Sequence, residues 1–513
     1  MSDTPVNVLS WPDYLLIAVY ISLNLGVGWW VQRRSKGTGA EYFLGGGRVP
    51  TWASAVSWYG TSVSSVSFMA LPAYAYAKNW LPMLVGPMGG LAGFVVGLGF
   101  VGIIRRLKTP TVYAYLESRF SREVRLIVAG LGAVLKVFGR SSVIMVLPAL
   151  ALSAATGINV YISIALMGFV TTLYSTKGGF AAVVWTDVIQ VAVMIGGVAL
   201  MIGYAAAGVD GGLGGIIRAG VEADKFQFVS WKWSLSDVTG YVITGFFIGH
   251  VFAIISDQPL MQRVLAAKDD ATARRSIYSG SLMVVPSNAI FFFVGTALFA
   301  FYQANPERLR SGLPDDAIVG FFIAHELPAG VIGIIIAAIF AAAMSTLSSS
   351  LSGVAAIAAS DFLAVLRPES TEKRGVALGE KVTLASGVFA TGMAMWVAST
   401  EAKSIWEQSV ELIALFGGPI PGVFALGMLT RRANSRGIMI GAVASIAVTV
   451  WVQNFTTINS FLHAFLAFVS SVVVGYFASL WPRRPVDRAK LRGLTVWDLA
   501  ERKDIVSATG APS

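Results

Sequence analysis

Runs of about 20 or more apolar residues recur along this chain, each long enough to cross a bilayer core as a helix. A spanning segment must satisfy its own backbone hydrogen bonds, which leaves only helices and closed barrels. A barrel would show short strands of alternating hydrophobicity, and the sequence has no such pattern. Composition agrees. Of 513 residues, 55% are hydrophobic and 13% charged, too few polar side chains to cover a soluble protein of this length. The expected class is an all-α integral membrane protein with about 13 transmembrane helices.

The spans fall roughly at residues 11–33, 50–77, 80–105, 123–153, 157–175, 180–208, 237–263, 275–303, 326–365, 380–400, 405–430, 436–455 and 459–481. The first has no basic n-region and no small-residue cleavage site, so it is expected to be retained. The reading is one transmembrane domain over 1–482 and a basic cytoplasmic tail over 483–513. Cysteine is absent, which excludes disulfides and leaves the redox compartment unreadable.

The net charge of +10 resembles a nucleic-acid signal until its location is considered. With the N-terminus outside, the cytoplasmic segments hold Arg33 and Arg34, Arg105 and Arg106, Arg263 to Arg275, Arg367 to Arg374, Arg431 and Arg432, and the tail from Arg483. The outer connections hold Asp210, Glu222, Asp224, Glu307, Asp315 and Asp316. That asymmetry orients the chain in a plasma or bacterial inner membrane, N-terminus out and C-terminus in. A basic tail beside anionic lipid accounts for the charge without nucleic acid, and no obligate protein partner is evident.

Three places break the apolar pattern. Polar groups in a bilayer are costly, so they face a partner, a cavity or a transport path. The first is SWYGTSVSSVSFMALP, Ser57 to Pro72, rich in glycine and hydroxyls and containing a proline. These residues weaken a helix, and an interruption would free carbonyl oxygens able to ligate a cation. Close packing through small residues explains the segment equally well. The second is AAAMSTLSSSLSG, Ala341 to Gly353, where Ala342, Ser345, Thr346 and Ser349 share one helical face and Ser348 adjoins it. Sodium is a hard cation suited to such oxygen ligands; a small-residue interface is the plainer account.

The third is buried charge. Asp187 lies inside the sixth span, and Lys136 and Arg140 lie one turn apart inside the fourth. Left unpaired in hydrocarbon, any of them would cost about several kcal/mol. A structural Arg140–Asp187 ion pair is one account. The other gives Asp187 a cation and gives Arg140 an anionic substrate, because a guanidinium fork matches a carboxylate in two hydrogen bonds.

At these residues the chain resembles the sodium:solute symporter family, whose members carry sugars, proline, monocarboxylates or sialic acid. The resemblance runs over about residues 10 to 480 and rests on GGGRVPTW with SVSFMALP, VWTDVIQ, SDQPLMQRVLAAKD, FAAAMSTLSSSLSG and GGPIPGVFALGML, in order across the spans. It implies a LeuT-like core of two inverted five-helix repeats, at roughly 50–208 and 237–430. It also implies a sodium site formed by the carbonyls of Gly60, Val63 and Ala342 and the hydroxyls of Ser345 and Thr346. A second site in some members matches Ser345, Ser348, Ser349 and Asp187, so one or two co-transported sodium ions are expected.

For the substrate, Arg140 followed by VIMVLPALALSAATGIN resembles the sialic acid transporters, where an arginine at this position holds the sugar acid's carboxylate. Ser62, Ser64 and Ser67 match hydroxylated substrate ligands. Two departures weaken the match. Those members place a glutamine in the third span, where this chain has GPMGG, and Glu411 occupies a span-eleven position where sugar-carrying members have a polar ligand. A buried glutamate would repel an anion unless protonated or paired. The expected activity is sodium-coupled symport of an organic anion such as sialic acid or a monocarboxylate; the alternative is a neutral or zwitterionic solute with Arg140 structural. Asp257 and Gln258 are expected to help a gate or a cap. His250 is expected to pack as a polar residue, since no second ligand stands at metal spacing, and no constellation of an intramembrane enzyme is visible.

Overall fold

The computed structural model describes residues 9–399, 418–481 and 491–498. Among them every regular element is helical. Nine helices are long and apolar enough to cross a membrane, and a bent pair makes a tenth candidate.

The first span is α1 (Trp11–Arg34). Its outer face shows Leu15, Val19 and Leu23 to the lipid, while Asn24 on the inner face accepts a hydrogen bond from Gln190 Nε2 at 2.8 Å. A short helix, α2 (Gly39–Leu44), leads to the second span. Of the two readings of this span, the interruption is the one observed, dividing it into α3 (Thr51–Ser62) and α4 (Ser65–Ala77). Val63 and Ser64 between them have extended backbone, with ψ 134° and 174°. The break therefore falls in the hydroxyl-rich stretch, whereas Pro72 lies inside α4 and takes no part in it.

The third span is α5 (Val85–Gly99). After a connecting helix, α6 (Ala114–Arg119), the fourth span runs through α7 (Arg122–Val134), a π-helical turn over Leu135–Ser141, and α8 (Ser142–Thr156). A π turn widens the helix locally and often marks a functional site; here it carries Lys136 and Arg140.

Spans five and six form one run of helix, α9 (Val160–Ala207, 48 residues). A straight helix of that length would measure about 72 Å, more than twice the hydrocarbon thickness. Gly179 resolves the conflict by adopting φ 59° and ψ −157° inside the run, a conformation open essentially to glycine alone. A Cβ there would also lie 2.6 Å from the Tyr42 carbonyl oxygen.

The seventh span is α10 (Gly240–Ser256) followed by α11 (Gln258–Leu265), bent by 59° at Asp257. Then come α12 (Asp270–Ala304), α13 (Val331–Ile357), α14 (Glu372–Ser399), α15 (Pro419–Leu429), α16 (Ser435–Phe455) and α17 (Ser460–Ser479). The axis of the molecule is α13, in which only Val331 and Ile334 of 27 residues escape burial. Small residues allow the approach: a Cβ on Gly197 of α9 would lie 2.4 Å from that of Ala338. At its start, the Asp13 carboxylate of α1 accepts from Gly330 N at 2.7 Å and Gly333 N at 2.8 Å, satisfying orphan donors at the helix N-terminus.

The stretch 491–498 is not a solvated tail. Leu491, Leu494 and Thr495 are buried; Tyr115 donates to the Leu494 carbonyl at 2.9 Å, and Trp497 Nε1 donates to the Leu429 carbonyl at 2.7 Å. The rest of the tail lies outside the described residues.

Candidate sodium and solute sites

Ending α3 at Ser62 leaves its last carbonyls without intrahelical partners. The α13 hydroxyls meet them. Ser345 Oγ lies 3.0 Å from the Gly60 carbonyl oxygen and 3.2 Å from that of Ala342. Thr346 Oγ1 lies 3.3 Å from the Val63 carbonyl and 3.4 Å from that of Ala342. Two hydroxyls and three carbonyls thus converge at hydrogen-bond range, buried, on the face of α13 that meets the break. Such an all-oxygen cluster has the chemistry of a hard-cation site, and each hydroxyl can rotate to turn a lone pair inward.

Other residues at the same break are accessible. Ser62 is exposed, Ser64 and Ser67 are half-buried, and Arg140 keeps 25% of its side chain accessible. Arg140 Nη2 donates to the Thr61 carbonyl at 3.1 Å, so the guanidinium is held at the helix end. Because α4 begins at Ser65 with no side-chain cap, its first-turn N–H groups and its positive dipole end add to the field of Arg140. One interruption therefore gives the Gly60 and Val63 carbonyls to the α13 hydroxyls and the Thr61 carbonyl to Arg140.

Arg140 does not pair with Asp187. Its carboxylate partner is Asp257, at 3.4 Å from Nη1, and Lys136 binds the same oxygen, Oδ2, more closely. Asp187 instead receives Arg263 Nη2 at 2.9 Å, with both side chains out of solvent. This corrects a second expectation. Arg263 is not part of a cytoplasmic basic segment but a buried residue, turned back into the protein by the bend at Asp257. It also donates to Ser57 Oγ at 2.9 Å, Ser349 Oγ at 2.7 Å and the Pro259 carbonyl at 2.6 Å. Its guanidinium thus stands beside Asp187 and Ser349 of the expected second sodium set. Ser348, another member, donates to the Ser345 carbonyl at 3.1 Å, and Asp187 Oδ1 has no partner among the described residues.

Asp257 also caps α11, accepting from Leu260 N at 3.2 Å. Gln258 donates to the Pro110 carbonyl and accepts from Val112 N, both at 2.9 Å, tying the bend of the seventh span to the loop before α6. His250 stacks on Phe246 with centroids 4.9 Å apart, and its Nε2 would lie 3.5 Å from a Cβ at Gly89. No cluster of His, Cys, Asp or Glu suited to a metal occurs among the described residues. Glu411 lies outside the described residues.

Residues 42–445 match the model of the sodium:solute symporter family. The chain belongs to that family. It is therefore a sodium-coupled solute symporter of the membrane and not an enzyme. Among its relatives, the sodium/sialic acid symporter NanT of Aliivibrio fischeri is 32% identical over 503 residues, spanning 97% of each protein. The sodium/sialic acid symporter SiaT of Proteus mirabilis is 34% identical over 467 residues, 90% of this chain and 94% of that protein. A solved structure of a Na+-coupled sialic acid symporter, substrate-bound and outward-open, superimposes with a TM-score of 0.86 at 31% identity, over 93% of this chain and 99% of the other. A nucleobase-cation-symport-1 transporter shares the fold alone, with a TM-score of 0.55 at 15% identity.

Proposed function

We propose that this symporter couples sodium to the inward transport of a small carboxylated solute, with sialic acid as the first substrate to test. One observation carries the reading: the three-residue stretch Gly60–Ser62 offers a carbonyl to the oxygen cluster at Gly60 and holds Arg140 at Thr61. Sodium would be bound by the Gly60, Val63 and Ala342 carbonyls with Ser345 and Thr346. The solute carboxylate would be bound by Arg140, and its hydroxyls by Ser62, Ser64 and Ser67. Occupying either site orders the backbone that the other uses, which makes each ligand favour binding of the other, reciprocally.

Charge supports an anion. Lys136 and Arg140 face one carboxylate, Asp257, so the group keeps a net positive charge that a monoanionic solute neutralises in a setting where unpaired ions are costly. The relatives named for sialic acid support the same class. Ser345, Ser348, Ser349 and Asp187 form the proposed second sodium position, reached only when Arg263 withdraws from Asp187 and Ser349.

The proposed topology has thirteen crossings: the nine long helices, the bent pair α10–α11, the broken pair α3–α4, the second half of α9, and the sequence-predicted span 405–430 that ends in α15. Its two inverted repeats span roughly 50–208 and 237–430, and each opens with an interrupted helix. The basic-inside asymmetry puts the N-terminus outside and the C-terminus in the cytoplasm. Transport proceeds by alternating access around a fixed midplane site.

The test is sodium-gradient-driven uptake of labelled N-acetylneuraminic acid into proteoliposomes, competed by monocarboxylates, sugars and amino acids. A carboxylated competitor, together with loss of uptake in Arg140→Ala, is the expected result. A neutral or zwitterionic winner with Arg140→Ala intact would make Arg140 structural and turn attention to Glu411.

A further inference from the structure

Beyond its charge, Lys136 has no role in the sites above. Its side chain is 9% exposed and its ammonium is bound to Asp257 Oδ2. That same oxygen lies 3.4 Å from Arg140 Nη1, a long and weak contact beside the normal range for such bonds. Lys136 and Arg140 come from one π turn, Leu135–Ser141, while Asp257 stands at the bend between α10 and α11. The arrangement is lopsided. A carboxylate beside a guanidinium ordinarily forms a close, often two-pronged pair, yet here the lysine holds it and the arginine is left with one good bond, to the Thr61 carbonyl.

We propose that Lys136 is a positioning residue for solute recognition: it sequesters Asp257, a tethered carboxylate that would otherwise occupy Arg140 in place of the solute. The inference rests on the reading of Arg140 as the solute-carboxylate ligand. Its physical basis is effective concentration. A carboxylate on the same chain and already within 3.4 Å competes as though present at about millimolar or higher concentration, so an unrestrained Asp257 would mask Arg140. Restrained, it does a second job. It caps α11 through Leu260 N and joins the fourth span to the bend of the seventh, so the solute meets a guanidinium that is placed but not filled.

The two ends of this ion pair therefore have opposite effects on solute affinity. Lys136→Met is expected to raise the Kd for N-acetylneuraminic acid about tenfold or more, because Asp257 then closes on Arg140. Asp257→Asn is expected to lower that Kd, and Lys136→Arg to leave it near wild type. Lys136→Met/Asp257→Asn should bind at least about tenfold more tightly than Lys136→Met alone. The apparent sodium affinity without solute should be unchanged in all four.

The measurement is isothermal titration of the purified, monodisperse full-length protein with N-acetylneuraminic acid in saturating sodium, with sodium binding followed separately by intrinsic tryptophan fluorescence. A merely structural salt bridge would weaken solute and sodium binding together in Lys136→Met and in Asp257→Asn, and that result overturns the inference. If Asp257→Asn does not fold, the comparison of the double variant with Lys136→Met decides: equal solute affinities overturn the inference. Arg140→Ala is the control for the underlying reading. If wild type and Arg140→Ala bind N-acetylneuraminic acid alike, or wild type binds none, that reading falls and the inference with it. If Arg140→Ala abolishes binding while Lys136→Met does not raise the Kd, only the inference falls.

Discussion

The Arg263 guanidinium meets the Asp187 carboxylate at 2.9 Å with neither side chain in contact with solvent. The pair joins the bend of the seventh span to the sixth, and Ser57 and Ser349 complete it from the second and ninth. Four spans meet at one ion pair.

Removing one partner strands the other in the protein interior. Arg263→Ala is expected to destabilise the symporter by about 3–5 kcal/mol, read as a lower thermal midpoint in detergent. Arg263→Ala/Asp187→Asn should recover most of that loss, because no unpaired ion remains. A double variant as unstable as the single would show that the guanidinium acts through packing and not charge.

Thr346→Ala and Ser345→Ala each remove one hydroxyl from the oxygen cluster at the α3–α4 break. A hydrogen bond or ligand of this kind is worth about 1.5–3 kcal/mol when the partner is charged, so the sodium concentration for half-maximal uptake should rise roughly tenfold to a hundredfold. Uptake measured against sodium concentration checks this. Unchanged sodium dependence in both variants would remove the site from this face of α13.

Gly179→Ala should fail at the level of folding. The new methyl group would meet the Tyr42 carbonyl oxygen at 2.6 Å, and φ 59° with ψ −157° is closed to alanine. Loss of monodisperse protein in fluorescence-detected gel filtration is the expected outcome, whereas Gly196→Ala, with nothing within 4 Å of the added carbon, should be silent.

Ending the chain after Lys490 removes the bonds of Leu494, Trp497 and Asp498 to Tyr115, Leu429 and Arg431. About 1 kcal/mol per lost bond predicts a thermal midpoint lower by several degrees. An unchanged midpoint would mean that this docking contributes no net stability.

The information carried by residue order alone is local. Apolar runs are read residue by residue, so the helical membrane class and most spans were legible without a structure; over Ser57 to Pro72, an interruption and close packing through small residues stood as equal readings. The face carrying Ala342, Ser345, Thr346 and Ser349 followed from helical periodicity alone. The family motifs then supplied which carbonyls should face it.

The charge pairing depends on long-range packing. Arg263 sits in a stretch that continues into further basic residues, and only the 59° bend at Asp257 returns it to Asp187. Likewise Lys136 and Arg140 are visible as intramembrane cations, but nothing in their spacing selects Asp257, 121 and 117 residues away. Glycine, hydroxyls and Pro72 all weaken the helix over Ser57 to Pro72, and packing places the break at Val63 and Ser64, where the freed carbonyls meet the α13 hydroxyls. Periodicity reports which residues share a face of one helix; which charge neutralises which depends on how faces from distant helices are brought together.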